Sequence, residues 1–291
     1  YLFILAYKKK TNLNELKKEL YMKFKNFVLD PFQVDSIESI NKGNSVVVSA
    51  ATGTGKTLIA DYIIDKYIKS KRRIVYTAPI KALSNQKYRD FKKDHGAENI
   101  GIMTGDIVIN AEAPVLIMTT EIYRNMLITK DPIIEHVSYV IFDEIHYIND
   151  IERGTIWEES IIFSPDHVRF LCLSATIPNA EQFAKWIQNI KKHKVDVVKY
   201  SKRAVPLEHF VYDISLGVTK VENVMKDKST TEFYKYKGKK DKNKKKTGLP
   251  KTSHIELINS IQDKLPCIFF SFSRKDCEDK ALELARKKNF L

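Results

Sequence analysis

This chain is short of cysteine and has no long apolar run, and both shortages narrow what it can be. Only Cys172, Cys267 and Cys277 occur in 291 residues, an odd number without metal-ligand spacing. They give no disulfide framework, so a reducing nuclear or cytoplasmic compartment is expected. No apolar stretch reaches the roughly 18 residues that a membrane helix needs, so no membrane partner is expected. The opening YLFILAY is too short for a secretory signal, and its lysines follow rather than precede it. With Tyr instead of Met at position 1, it is expected to be a strand or the cut edge of a longer protein.

What the chain does have is material for a large core, with 43% hydrophobic and 11% aromatic residues. Its length suggests about two domains. Net charge is +13, but the stretch from Lys226 to Lys251 holds eleven lysines against three acids and so carries +8 of it. The remainder is only mildly basic. Charge alone is therefore weak support for a nucleic-acid surface on the folded part.

Residues 11–25 are predicted to form a helix, with Asn12 or Asn14 as its cap and leucines at helical spacing. A second helix is expected to start at Pro31, with Ile37 and Ile40 on one face. Apolar runs follow at 45–50, 73–77, 99–103, 115–119, 137–142, 168–173 and 195–199, separated by helical or loop stretches. Several are apolar nearly throughout, as parallel strands covered on both faces must be. The fold class expected over 26–215 is therefore α/β, a doubly wound parallel sheet with ligands at the carboxyl ends of its strands. From 216 to 253 the pattern fails, and a mobile lysine-rich linker or insertion is expected, a solvated loop before a nucleic-acid-binding arm. The expected start of a second α/β domain occupies 254–291: a helix in HIELINSIQDKL, a buried strand in CIFFSFS and a helix over 274–288.

Two stretches carry chemistry. SVVVSAATGTGKTLIA, residues 45–60, runs from a β-branched segment through a glycine loop into a helix beginning near Lys56. Its spacing is that of a phosphate loop, with Ala50 in the first glycine's place, then Ala51, Thr52, Gly53, Thr54, Gly55, Lys56 and Thr57. Gly53 and Gly55 let successive N–H groups turn inward on phosphate oxygens, and the helix adds the positive end of its dipole. Lys56 supplies a point charge for the β- and γ-phosphates, and the Thr57 hydroxyl can hold Mg²⁺. The second stretch, VSYVIFDEIH, ends an apolar strand in Asp143 and Glu144. Asp143 is placed to bind Mg²⁺, directly or through water, and Glu144 to orient and deprotonate an attacking water.

With DEIH at 143–146, SAT at Ser174, Ala175 and Thr176, and AATGTGKT upstream, the sequence resembles superfamily 2 DExH-box helicases. FDEIHYINDIERGTIWEESII, TAPIKALSNQKYRDF, LSATIPNAEQFAKWI and FVLDPFQ resemble the superkiller-type, exosome-associated RNA helicase branch. FSFSRKDC at 270–277 is similar to the opening of that family's second RecA-like domain. The resemblance implies a RecA-like ATP-binding domain, the cofactors ATP and Mg²⁺, and single-stranded RNA as partner in RNA processing or decay. A monomeric protein, with an exosome-type complex as a further partner, is also implied.

The resemblance also implies residue roles. Gln33 would read adenine and Phe27 would stack on it, although Phe27 alone also reads as an ordinary core aromatic. Pro79, Lys81, Ala82, Gly105, Thr119, Thr120 and Glu121 would lie along the nucleic-acid backbone, although Thr119–Glu121 alone also reads as a helix cap. His146 would link the ATP site to SAT and to the second domain. Ser174 and Thr176 would couple to DEIH through hydroxyl hydrogen bonds. Arg153 and Glu158 are expected in structural pairings and Trp157 in the core.

Two departures matter. Ala78 stands where many relatives have serine. The chain also ends before the second domain's glycine and arginine motifs, so as given it is expected to bind nucleotide poorly and hydrolyse it slowly. A DNA helicase of the repair-type branch and a non-catalytic nucleotide- or RNA-binding module are the alternatives; complete Lys56, Thr57, Asp143 and Glu144 disfavour the second.

Overall fold

The computed structural model describes residues 22–226 and 253–287, apart from 69, 71, 204, 214 and 215. The chain divides into two compact units, Tyr1–Val205 and Pro206–Leu291. The first is built on an eight-stranded sheet. Its strands, in chain order, are β3 (Ser45–Ala50), β4 (Arg73–Ala78), β5 (Ile100–Met103), β6 (Val108–Ile109), β7 (Val115–Thr119), β8 (Val137–Phe142), β9 (Arg169–Ser174) and β10 (Val195–Tyr200). The order across the sheet is β10-β3-β9-β8-β4-β7-β5-β6, and every neighbouring pair is parallel except β5 and β6. The seven apolar runs all became strands. The short β6 was not foreseen, because two exposed residues make no periodic signal.

Alternation along these strands explains why they are apolar throughout. Val47, Val75, Val140 and Cys172 point to one face, which α4 (Thr120–Thr129), α5 (Gly154–Phe163) and α6 (Ala180–Lys191) cover through Tyr123, Trp157 and Ile187. Val46, Val48, Ile74, Ile141 and Leu171 point to the other. There α1 (Pro31–Asn41), α2 (Thr57–Tyr67) and α3 (Lys81–His95) contribute Phe32, Ile40, Ile63 and Phe91. A strand buried on both faces favours apolar side chains at successive positions, and the few polar ones it holds, such as Ser45 and Ser49 of β3, are hydrogen-bonded. Helices on both sides of a parallel sheet make the fold doubly wound, as expected, and the carboxyl ends of all strands but β6 lie on one edge.

The helix expected over 11–25 lies mostly outside the described residues, and where the structure begins it is a hairpin instead. β1 (Lys23–Phe24) pairs antiparallel with β2 (Phe27–Val28), turning at Lys25, whose φ is 50°. Phe24 and Leu29 pack on Ile37 of α1, so the hairpin is held by tertiary contact rather than by helical periodicity.

In the second unit, β11 (Val211–Asp213) pairs antiparallel with β12 (Gly217–Thr219), and α7 (Val221–Lys226) follows. Part of the span expected to be linker from 216 thus forms a strand and a helix; the lysine-rich 227–252 lies outside the described residues. α8 (His254–Ser260), a 3₁₀ turn (Gln262–Lys264) and α9 (Arg274–Lys287) match the expected helices. The expected buried strand in CIFFSFS is not formed: Ile268, Phe270 and Phe272 are exposed. A strand exists only as a member of a ladder, and no described strand lies beside this one. Cys172 is buried, Cys267 and Cys277 are exposed, and all three are free. No helix among the described residues is long and apolar enough to cross a membrane.

Candidate functional site

The carboxyl end of β3 opens into the glycine loop. Gly53 and Gly55 take φ values of 83° and 82°, which L side chains rarely adopt. Gly55 is also crowded: a Cβ there would lie 2.9 Å from Gln33 Nε2. Thr54 Oγ1 donates to the Ala51 carbonyl at 2.8 Å. Lys56 Nζ folds back to donate to the carbonyls of Ala50 (2.7 Å) and Ala51 (3.0 Å). Burial lowers the Lys56 pKa, while the Glu144 and Asp143 carboxylates act to raise it, so both acids are within electrostatic reach of the loop. Thr57 opens α2, and its hydroxyl accepts from Lys87 Nζ of α3 at 3.1 Å.

Those acids follow β8, a central strand two places from β3. Asp143 Oδ2 accepts from Tyr76 Oη at 2.5 Å, and Oδ1 accepts from the Glu144 N–H at 3.0 Å. Burial first, then Asp143, pushes the Tyr76 pKa well up, so this phenol stays protonated and donating. Glu144 sits in the left-handed region, φ 52° and ψ 44°. For a non-glycine residue that conformation costs on the order of 1–3 kcal/mol. Its Oε2 lies 3.3 Å from His146 Nδ1, in ion-pair reach but without hydrogen-bond alignment, and both atoms are buried with no other partner.

Between the loop and the acids, β9 ends in Ser174. The hydrogen bonds expected from Ser174 and Thr176 to the 143–146 segment are not formed. Ser174 Oγ is buried without a partner, and Thr176 has no side-chain hydrogen bond among the described residues; Ala175 between them has no polar side-chain atom. The segment after β9 is tied to β3 instead, where Ser49 Oγ accepts from the Ile177 N–H at 3.0 Å. Tyr76, Lys87 and Ser49 were all invisible to sequence reasoning, since only neighbouring strands and helices give them their targets.

On the other side of β3, Gln33 is 4% exposed. Its Oε1 accepts from the Asp30 N–H at 2.8 Å, and its Nε2 donates to the Gly55 carbonyl at 2.9 Å. A cavity of about 760 Å³ opens here, lined by Phe27, Gln33, Gly53, Gly55, Thr57 and Tyr200 among others. Phe27 is 58% exposed, which overturns its reading as a core aromatic.

The remaining predicted residues gather on the same carboxyl edge, at adjacent strands. Pro79, Lys81 and Ala82 follow β4, Thr119, Thr120 and Glu121 end β7 and open α4, and Gly105 follows β5. Lys81, Ala82 and Gly105 are exposed, and Lys81 Nζ lies 2.5 Å from Asp106 Oδ2. Pro79, Thr119 and Thr120 are buried, and the Thr120 hydroxyl has no partner, so they lie beneath that surface rather than on it. Thr119 occupies the N-cap position of α4 without a side-chain cap bond. Arg153 is paired as expected, but with Glu121 and the Pro79 carbonyl. Glu158 is exposed without an ion pair among the described residues, and Glu159 takes Arg124 instead. Trp157 is fully buried.

The donor set suits magnesium. A hydroxyl and a carboxylate are hard oxygen ligands, and Mg²⁺ is normally held by one or two such groups with substrate phosphates completing its shell. Among the described residues no cluster of three or more potential ligands forms an all-protein cage. Asp143, fixed by Tyr76 and by the Glu144 amide, is the carboxylate that would hold the ion, and Thr57 the hydroxyl.

Residues 30–183 match the family model described as DEAD/DEAH box helicase. The chain is 41% identical over 273 residues to the exosome RNA helicase MTR4 of Homo sapiens, covering 89% of this chain and 26% of that protein. It is 39% identical over 277 residues to superkiller complex protein 2 of Homo sapiens, covering 88% of this chain and 22% of that protein. It thus spans about a quarter of the length of the curated relatives it matches. Among solved structures, the Mycobacterium smegmatis helicase Lhr, bound to ssDNA and AMP-PNP, aligns with TM-score 0.50 and 26% identity, over 60% of this chain and 26% of that one.

Proposed function

Because this chain belongs to the DEAD/DEAH box helicase family, we propose that it is the ATP-binding part of an RNA motor of the exosome-associated, superkiller-type branch. The observation that carries this reading is the meeting, on one sheet edge, of a phosphate loop ending in Lys56 and Thr57 with the acid pair Asp143 and Glu144. In this reading the loop amides and Lys56 hold the triphosphate. Magnesium, held by Thr57 and Asp143, would offset charge developing on the β- and γ-phosphates. Glu144 takes a proton from water as the water oxygen bonds to the γ-phosphorus, and the bond to the β-bridging oxygen breaks. Phe27 and Gln33 receive adenine in the cavity beside the loop. His146 passes the state of the acids onward.

Lys81, Ala82 and Gly105 form the RNA-facing surface, with Pro79, Thr119, Thr120 and Glu121 supporting it from beneath. Contacts of this kind reach phosphates and sugars and so favour affinity over sequence reading. Residues 254–291 begin a second RecA-like domain, and the first spans 26–205 rather than 26–215, since 206–215 belong to the second compact unit. Arginines from a completed second domain stabilise the γ-phosphate in related NTPases by about 10³-fold or more. The full-length protein acts as a monomer within an RNA-decay assembly of the nucleus or cytoplasm.

Glu144→Gln in the full-length protein tests the site: ATP binding is kept and RNA-stimulated turnover is lost. Unchanged turnover would reject Glu144 as the base. Strand displacement on matched RNA and DNA tracks separates the RNA reading from a DNA helicase, and unwinding confined to DNA would overturn the former.

A further inference from the structure

The segment leaving the acid pair continues as a packed path to the other half of the edge. The 3₁₀ turn Ile145–Asn149 sets the His146 and Tyr147 rings 5.3 Å apart. Tyr147 stacks on Trp157 at 6.1 Å and 25°, and the Arg153 guanidinium lies 5.6 Å over that indole. Arg153 is itself fixed. Its backbone N–H donates to Asp150 Oδ1 at 2.9 Å, and the Gly154 N–H donates to the Asp150 carbonyl at 2.8 Å. Gly154 lies so close to the 3₁₀ turn that a Cβ would fall 2.2 Å from the Ile148 carbonyl oxygen.

From this anchored position Arg153 Nη2 donates to the Pro79 carbonyl at 2.7 Å and to the Glu121 carboxylate. Pro79 follows β4, and Glu121 lies in the first turn of α4 after β7, so one guanidinium fastens two loops from neighbouring strands. The Arg153–Glu121 pair is about one-third exposed on both sides, a setting in which an ion pair adds little to global stability. What it fixes is geometry.

We infer that Arg153 is a positioning residue that clasps the Pro79 and Glu121 loops to the segment leaving Glu144 and His146, so that Lys81, Ala82 and Gly105 present one surface to RNA. This rests on the reading of that edge as RNA-facing. Arginine suits the task because one end nitrogen, Nη2, serves both acceptors while the planar guanidinium lies over the Trp157 indole, a stacked face that a lysine ammonium does not reproduce.

The test is single-stranded RNA affinity of the full-length protein and its variants at fixed salt. Arg153→Gln and Glu121→Gln each weaken binding about tenfold. The double variant is no weaker than either single one, because both remove the same clasp. Arg153→Lys recovers part of the loss, and thermal unfolding midpoints move little. If Lys81→Ala weakens binding while Arg153→Gln binds as wild type does, or if the two clasp losses add, the inference fails and the RNA-facing reading stands. If the wild-type protein does not bind RNA, that reading fails and the inference falls with it. A merely structural Arg153 would instead lower the unfolding midpoint and RNA affinity together, with no partial rescue by lysine, and this too would overturn the proposal.

Discussion

At Gly53 and Gly55 two glycines share a backbone conformation but not an environment. Both have φ near 82°, yet nothing lies within 4 Å of a Cβ at Gly53, whereas Gln33 Nε2 blocks one at Gly55. Gly53→Ala should cost only the left-handed strain, about 1–2 kcal/mol. Gly55→Ala adds displacement of Gln33, which is bonded to both Asp30 and Gly55, so it should cost more and should also weaken ADP binding further. Thermal unfolding with a fluorescent-ADP titration on both variants checks this, and equal losses would show that Gln33 yields freely. The need for glycine was legible from the spacing of the loop. The clash with Gln33 was not, because the two residues are 22 apart in sequence.

At the scale of elements, the edge of the sheet opposite the site carries a pH-sensitive joint. His193, between α6 and β10, has Nε2 2.7 Å from Ser45 Oγ of β3 and Nδ1 3.2 Å from Arg169 Nη1 of β9. Burial, and then the Arg169 charge, pull its pKa from 6.5 down to about 4. The folded state therefore prefers the neutral ring, while the unfolded chain takes up a proton below about 6.5. This contribution to stability is complete above that pH and is lost as pH falls toward 4. The slope of the unfolding midpoint between pH 4 and 6.5 should flatten in His193→Gln; an unchanged slope would place the titration elsewhere.

The strands themselves were readable because burial on both faces leaves runs that are apolar nearly throughout. Element boundaries were less so where tertiary contact decides. The hairpin at residues 23–28 exists because Phe24 and Leu29 find Ile37. CIFFSFS, apolar enough for a strand, stays unpaired and exposed.

Across the whole sequence, net positive charge is concentrated in one stretch. The eleven lysines between Lys226 and Lys251 are expected to act as a solvated spacer. Deleting 226–251 should then leave the salt dependence of RNA binding unchanged, since each phosphate contact to a single strand contributes about 0.7 to the log–log slope. A fall in slope of about 1 or more on deletion would make the stretch a binding arm.

Sequence alone determined the phosphate loop, the acid pair, the seven apolar strands and their doubly wound class. Each is a local pattern: a spacing of glycines, a strand ending in carboxylates, a periodicity. Tertiary structure decided which atoms meet. Strand order set Asp143 under Tyr76 and near Lys56, gave Thr57 to Lys87, left Ser174 without its expected bonds, and closed Arg153 on Glu121 across 32 residues. The reason is physical: hydrogen bonds and ion pairs act over about 3 Å, and a chain of amino acids does not state which of its distant residues will come that close.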